Sequence, residues 1–254
     1  MDRILRSRLS GILLLIAIFL LWQVAATSWI NSPSLPPLSA VAASLVAGFQ
    51  SGELPDAVAA SLWVMMLGYC LGVLCAVAVG SAMANIRPVR AAFDPIIELL
   101  RPIPIPAIVP PLILLFGIDA ALKIFVVAFS SFFPVVVNTM GGARAVDPIA
   151  LDVGRTLRVG RLRMVRSIII PASLPYILAG MRTSLSLALI TTITAELIAG
   201  SAGIGYYILA MQYAMRTSEM YGAILLLALI GYLLNHLFLA GERRVLHWYR
   251  TESA

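Results

Sequence analysis

Apolar residues in this chain come in long unbroken runs, and six can be marked: roughly Gly11 to Ala26, Ala57 to Ala84, Ile96 to Phe116, Ala121 to Thr139, Leu174 to Ile198 and Tyr221 to Leu239. A helix crossing a bilayer needs about 20 mostly apolar residues, so each run predicts one span. A transmembrane barrel would show alternation in segments of about ten residues; LILLFGI and GAILLLALIGYLL do not alternate. The pattern predicts an all-α membrane protein with six transmembrane helices, one transmembrane domain over residues 1–254.

Composition agrees: 61% of the 254 residues are hydrophobic and 12% charged, more apolar surface than a soluble core can bury. Arg3, Arg6 and Arg8 ahead of an apolar run, with small residues at Ala25 and Ala26, look like a secretory signal peptide. The run is long for that and five spans follow, so an uncleaved first helix is expected. Cys70 and Cys75 share the second span on different faces of one helix; they read as packing residues, with neither a disulfide nor a metal pair implied.

The longest polar interruption is Asp147 to Pro175, DPIALDVGRTLRVGRLRMVRSIIIPASLP. Asp147 suits an N-cap and Pro148 the first helical position, with Gly154, Gly160 and Pro171 limiting the run. Two short helices on a membrane surface are expected. Ile149, Val153 and Leu157 recur at i, i+4 and i+8 and give the first an apolar side, through which such a helix can dock into a partner's cleft or pack on its own bundle.

Charge sets the orientation. Basic residues fill every other connection: Arg3, Arg6 and Arg8; Arg87 and Arg90; Arg144, Arg155, Arg158, Arg161, Arg163 and Arg166; then Arg243, Arg244 and Arg250. The intervening connections carry only Arg216, with Lys123 just inside span four. The positive-inside rule puts both termini and the arginine-rich segment in the cytoplasm, so the net charge of +6 is mostly a topology signal. The arginine run has no interleaved aromatic residues to stack bases, and no nucleic-acid role is expected. Lys123, the only lysine, follows Leu122, which rules out a phosphate-binding G-x-x-x-x-G-K-[ST] loop. Gly200, Gly203 and Gly205 have the wrong spacing for a dinucleotide site and read as a flexible turn. His236 and His247 lack partners at ligand spacing. No catalytic or metal residues are expected.

The interruption resembles the coupling segment, here about residues 147–171, of the integral permeases of ATP-binding-cassette importers. That pattern has an acidic residue, two small residues, a further glycine, then Ile-x-Leu-Pro. Here it reads Asp152, Val153 and Gly154, Arg158 where glycine is usual, then Ile168, Ile170 and Pro171. Further stretches resemble the branch serving nitrate, sulfonate, taurine and bicarbonate: LPPLSAV at Leu35 to Val41, FDPIIELLRPIPIPAIVPPLILLFGI at Phe93 to Ile118, AELIAGSAGIGYYI at Ala195 to Ile208, and the closing GERRVLHWYR. The resemblance covers nearly the whole chain and implies a type I importer permease fold with coupling helices between spans four and five. It implies a bacterial inner-membrane chain in the lipid bilayer, paired with a second, usually identical permease. It also implies two cytoplasmic ATPases that bind the ATP and magnesium, and a periplasmic or extracellular solute-binding protein. Asp152, Val153, Gly154, Leu157, Arg158 and Gly160 would form the ATPase-coupling site, and this chain would hold no cofactor and catalyse nothing. Two departures stand out: Asp152 is a methylene shorter than the usual glutamate, and Arg158 replaces a glycine that permits a left-handed bend. Gly160 is expected to take over that turn.

Candidate path residues follow from composition within the spans. Pro102, Pro104, Pro106, Pro110 and Pro111 stud the third span; each removes a backbone donor, so this helix must begin late or break. Irregular backbone at membrane depth is tolerated where protein buries it or a watery cavity receives it, so Pro104 and Pro106 border the path or kink a packing helix. In the fifth span Ser184, Ala188, Thr191 and Ala195 form a small-and-polar stripe with Thr192 and Glu196 beside it; close packing and a wet path both fit. Glu196, an acid near the outer end, is a functional candidate by default, and bonding to the glycine-rich backbone after it is expected. Gly68 and Gly72 make a G-x-x-x-G step. Arg101, Lys123 and Arg182 are the cations nearest the spans but lie near predicted span ends, where they can snorkel. No buried charge identifies the solute. Two rivals remain at this stage: an ion-gradient-driven secondary transporter, which usually brings inverted repeats and intramembrane acids, and a non-transporting membrane anchor or receptor subunit.

Overall fold

The computed structural model of the chain describes residues 8–30 and 32–247. Arg3, Arg6 and Arg250 lie outside the described residues. The elements in chain order are α1 (Arg8–Val24, extended by a π turn over Ala25–Ile30), α2 (Leu38–Ser51), α3 (Glu53–Asn85), α4 (Arg87–Leu100), α5 (Ile105–Phe116) and α6 (Ala120–Arg144). Then follow α7 (Pro148–Thr156), α8 (Arg161–Met164, running through a π turn over Val165–Ile169), α9 (Ile170–Ala199), α10 (Ile204–Tyr213) and α11 (Thr217–Val245). Among the described residues five helical stretches are long and apolar enough to cross a bilayer: Ser10–Ile30, Glu53–Asn85, Ala120–Arg144, Val165–Ala199 and Thr217–Val245.

The third expected span is a broken pair. Helices α4 and α5 pass the same test together but bend by 104° at the break between them. The cause is local: Pro102 and Pro104 supply no amide hydrogens, and Pro104, in extended backbone, sets the start of α5 with Pro106 in its first turn. Counted as one span, the pair makes six.

Helix α6 is the centre of the bundle, with α3 against one side and α9 against the other. The α3–α6 seam is lined by glycines. A Cβ on Gly68 would stand 2.7 Å from Val127 Cβ, one on Gly72 2.5 Å from the Ala128 carbonyl oxygen, and one on Gly80 2.9 Å from Thr139 Cβ. The G-x-x-x-G step is therefore the site of closest approach, and Gly80 prolongs it. On the other side Gly142 receives Tyr176, while Gly180 receives Asn138 and the Pro134 carbonyl. Between apolar helices in lipid, association rests on such van der Waals contact and on interhelical hydrogen bonds. Ser184 Oγ donates to the Ser131 carbonyl at 2.9 Å, and the Tyr69 hydroxyl to the Met181 carbonyl at 3.1 Å. Met65, Ala76, Val127, Val135, Val136 and Ala188 are the buried centre. Cys70 and Cys75 are free and exposed rather than packed inside.

The connections outside the spans hold two more helices, α2 and α10, too short to cross a bilayer. The LPPLSAV stretch ties α1 to α2, through the Trp22 indole donating to the Pro36 carbonyl and the Gln23 amide meeting Ser39. One expectation is corrected here: the second of the two short surface helices is not separate. Helix α8 runs through its π turn directly into α9, with the Ile170 amide donating to the Val165 carbonyl. A wide turn of this kind admits Pro171, whose ring would crowd a regular α turn.

Candidate functional site

Only α7, of the two expected surface helices, stands apart from the spans. Its start follows the sequence reading: the Asp147 carboxylate accepts from the Ile149 amide at 2.8 Å, and Pro148 occupies the first turn. Its end does not. The turn is made by Arg158 itself, at φ 53°, and Gly160 has no left-handed conformation. The Arg158 amide donates to the Arg155 carbonyl at 2.9 Å and the Val159 amide to the Gly154 carbonyl at 2.9 Å. That pair of bonds is a Schellman end, in which the position usually taken by glycine is filled by arginine. Gly160 instead offers its carbonyl to the Met164 amide at the start of α8.

Between these ends α7 has two unlike sides. Ile149, Val153 and Leu157 are 71%, 53% and 72% exposed, an apolar row that none of the described residues covers. Asp152 stands beside the row in an exposed 2.8 Å ion pair with Arg155. Gly154 faces the other way and is buried: a Cβ there would lie 2.7 Å from the Met164 side chain and 3.0 Å from Ile168. Its close approach is with its own chain, and it holds α7 down on α8 and the π turn.

At the far end of α9 the glycine-rich turn is built around Glu196, which is 1% exposed. Its carboxyl group accepts from the Ser61 hydroxyl at 2.8 Å and from the Gly205 amide at 2.9 Å, while Ser61 Oγ accepts from the Ile204 amide at 2.8 Å. The first two amides of α10, which no helical carbonyl can satisfy, are thus met by α3 and α9. Gly203, at φ 107°, leaves the room: any Cβ there would overlap the Glu196 carboxyl group. The turn expected to be flexible is a close-packed cap. Lys123, 5% exposed, reaches the Ala202 carbonyl at 3.5 Å. Just outside the spans, burial raises the Tyr207 phenol above its ordinary pKa, with Glu53 adding to the shift, so it stays neutral at ordinary pH.

The other path candidates divide. Ser184, Ala188 and Ala195 are fully buried, and Thr192, also buried, donates to the Ala188 carbonyl at 2.8 Å. Thr191, 4% exposed, lines a cleft of about 360 Å³ between the α4–α5 break, α6 and α9. Pro104 and Pro106 shape this break, and Ile103 and Ile105 at their sides line the cleft. Sequence reasoning missed that Arg101, Ser130, Asn138 and Thr183 share it, because the cleft exists only where the third span bends. Among the described residues no three His, Cys, Asp or Glu side chains gather as a metal-holding group.

Comparison with known proteins fits this geometry. Residues 68–248 match the family model described as "Binding-protein-dependent transport system inner membrane component". The chain is 32% identical over 241 residues, 94% of its length and 87% of the relative's, to a putative aliphatic sulfonates transport permease protein of Bacillus subtilis strain 168. It is 33% identical over 233 residues, 90% of its length and 85% of the relative's, to the taurine transport system permease protein of Escherichia coli K12. A chain from the inward-facing structures of the MetNI methionine ABC transporter superimposes with a TM-score of 0.68 at 15% identity, over 77% of this chain and 97% of that one. That likeness extends the fold to the type I importer permeases. The bent third span, the exposed α7 and the family match converge: this chain belongs to the binding-protein-dependent transport system inner membrane components, the multi-pass permease subunits of ATP-binding-cassette importers, whose ATP hydrolysis is the work of a partner ATPase.

Proposed function

We propose that this permease works as a homodimer carrying two ATPases, with α7 as the element each ATPase grips, and that its solute is a small anion of the sulfonate or taurine type. Both termini and α7 lie in the cytoplasm in this reading, and the ATPases hold the ATP and magnesium. Their approach on binding ATP carries the two α7 helices with them and opens the cavity toward the solute-binding protein. The observation that carries the reading is the exposed row of Ile149, Val153 and Leu157 on a helix capped at both ends. A short rigid helix with an unanswered apolar side is the form a groove-bound element takes. Within the coupling set, the row and Asp152 make the contact, whereas Gly154, Arg158 and Gly160 set the angle of α7. The solute class rests on the sulfonate and taurine permeases that the chain resembles.

Two measurements test this. The purified permease should retain its ATPase through affinity capture, and Leu157→Asp should lose it. Single cysteines at Met215 and Leu157, both largely exposed, should separate in labelling: an impermeant thiol reagent outside the cell reaches the first and not the second. Labelling of position 157 alone would invert the orientation.

A further inference from the structure

The cleft at the α4–α5 break has the composition of an anion site. We propose that it receives the anionic head of the transported solute, a small organic oxyanion with a short apolar tail, and that Arg101 is its counter-charge. The inference rests on the permease reading and adds a site within the chain.

Arg101 caps the C-terminus of α4 where the chain turns through 104°, exposed at the break and lining both the cleft and its smaller neighbour. No acid neutralises it: the ion pairs among the described residues are Arg90–Asp94, Arg155–Asp152 and Arg216–Glu219. Asp94 is thus engaged by Arg90. Glu98, which with Arg101 lines an adjoining cleft of about 180 Å³, makes no contact with it within ion-pair distance. An arginine so placed offers several N–H donors in a planar fork suited to the oxygens of a sulfonate or carboxylate. Charged groups within spans that lack a fixed partner mark solute pathways by default.

The second observation is Thr191. It is 4% exposed, lines the same cleft, and its hydroxyl has no hydrogen-bond partner among the described residues. The residue is otherwise packed inside the bundle, so a hydroxyl with no partner in the chain is free to bond to what occupies the cleft. Asn138 spends one amide hydrogen on the Pro134 carbonyl at 2.7 Å and has another to give. Three residues that can each donate, from the break, α6 and α9, therefore line one space. The remaining wall is apolar: Phe129 and Phe133, in edge contact at 4.9 Å between ring centroids, with Ile105 and Leu187. The volume of about 360 Å³ suits a ligand at the small end of natural pockets.

A lipid headgroup carries the same oxyanion chemistry, so the test separates the two. The permease is purified with its ATPase, and their co-elution checks the permease reading before any titration. The complex in phosphatidylcholine nanodiscs is titrated with sodium butanesulfonate and with the neutral butanesulfonamide, following the thermal unfolding midpoint. Butanesulfonate should stabilise saturably and the sulfonamide should not. Arg101→Gln should raise the half-saturating concentration at least about tenfold, as loss of a charge-assisted bond does; Arg101→Lys, which keeps the charge but loses the fork, should raise it by less than Arg101→Gln, and the remote Arg243→Gln by less than about threefold. If Arg101→Gln does not fold, Thr191→Val decides, with an expected rise of about fivefold; an unchanged half-saturation there overturns the proposal. So does equal stabilisation of Arg101→Gln and the parent. Stabilisation by phosphatidylglycerol nanodiscs with no response to butanesulfonate would assign the cleft to lipid and overturn it too.

Discussion

Around Glu196 the hydroxyl of Ser61 and the first two amides of α10 are all answered inside the chain, whereas along α7 Ile149, Val153 and Leu157 stand exposed, covered by none of the described residues. The two regions lie at opposite ends of the helical stretch Val165–Ala199. One end spends a buried carboxyl group on joining α3, α9 and α10. The other leaves its interaction surface free and holds the helix only from beneath, through Gly154 on Met164 and Ile168. A rigid end and an open end on one helix suit a lever, since displacement at the open end reaches the bundle only if the helix between is held elsewhere.

The largest effect should come from breaking the closed end. Gly203→Val places a side chain where the Glu196 carboxyl group lies and forces a branched residue into φ 107°. Backbone strain of about 1–3 kcal/mol then adds to loss of the buried hydrogen bonds, about 1–3 kcal/mol more. The thermal midpoint in detergent should drop sharply or the protein should fail to accumulate. Glu196→Gln keeps an acceptor oxygen and should lose only about 1 kcal/mol. Equal loss in both variants would mean that a single acceptor oxygen cannot serve both Ser61 and Gly205.

The open end should behave oppositely. Leu157→Asp changes a side chain that is 72% exposed, so stability should move within about 0.5 kcal/mol. Removing a central apolar contact typically weakens a partner by about 2 kcal/mol or more, roughly thirtyfold; ATPase capture and transport should fall together. A stability loss like that of Gly203→Val would erase the contrast between the ends.

How far the sequence carries differs between these regions for physical reasons. Span positions, the Asp147 cap and the apolar row of α7 are local, written in hydropathy and in helical spacing. The bond between Glu196 and the following turn was legible as well, because a carboxyl group nine residues before Gly205 has little else to reach. Ser61 was not, since it comes 135 residues earlier and only the close α3–α6–α9 packing brings it there. Arg101 looked like an interfacial residue because the proline run announces a break but not its angle. The π turn at Val165–Ile169 was likewise hidden: Pro171 reads as a stop signal, and a wide turn that admits proline leaves no mark in periodicity.

A smaller effect tests the angle of α7. Arg158 sits in the left-handed region at φ 53°, which is unfavourable for a residue with a Cβ by about 1 kcal/mol. Arg158→Gly should stabilise the chain by about 0.5–1 kcal/mol, part of the gain being offset by glycine's greater freedom when unfolded. Hydrogen exchange at the Arg158 and Val159 amides should slow. A drop in stability would show that the arginine side chain, not only its backbone, secures this turn.

The smallest change sharpens the contrast most. Asp152 and Arg155 form an exposed ion pair at 2.8 Å, and such pairs are worth about 0.2–1 kcal/mol. Asp152→Asn and Arg155→Gln break the same bond and should alter the thermal midpoint alike and only slightly. If α7 is no more than a surface helix, the two variants remain equivalent in every assay. If the acid beside the apolar row meets the ATPase, they part: Asp152→Asn should weaken ATPase capture about fivefold, a difference that shrinks at high salt as screening grows, while Arg155→Gln leaves capture near the parental value. Equal capture by both at low salt would remove Asp152 from the contact and leave docking to Ile149, Val153 and Leu157 alone.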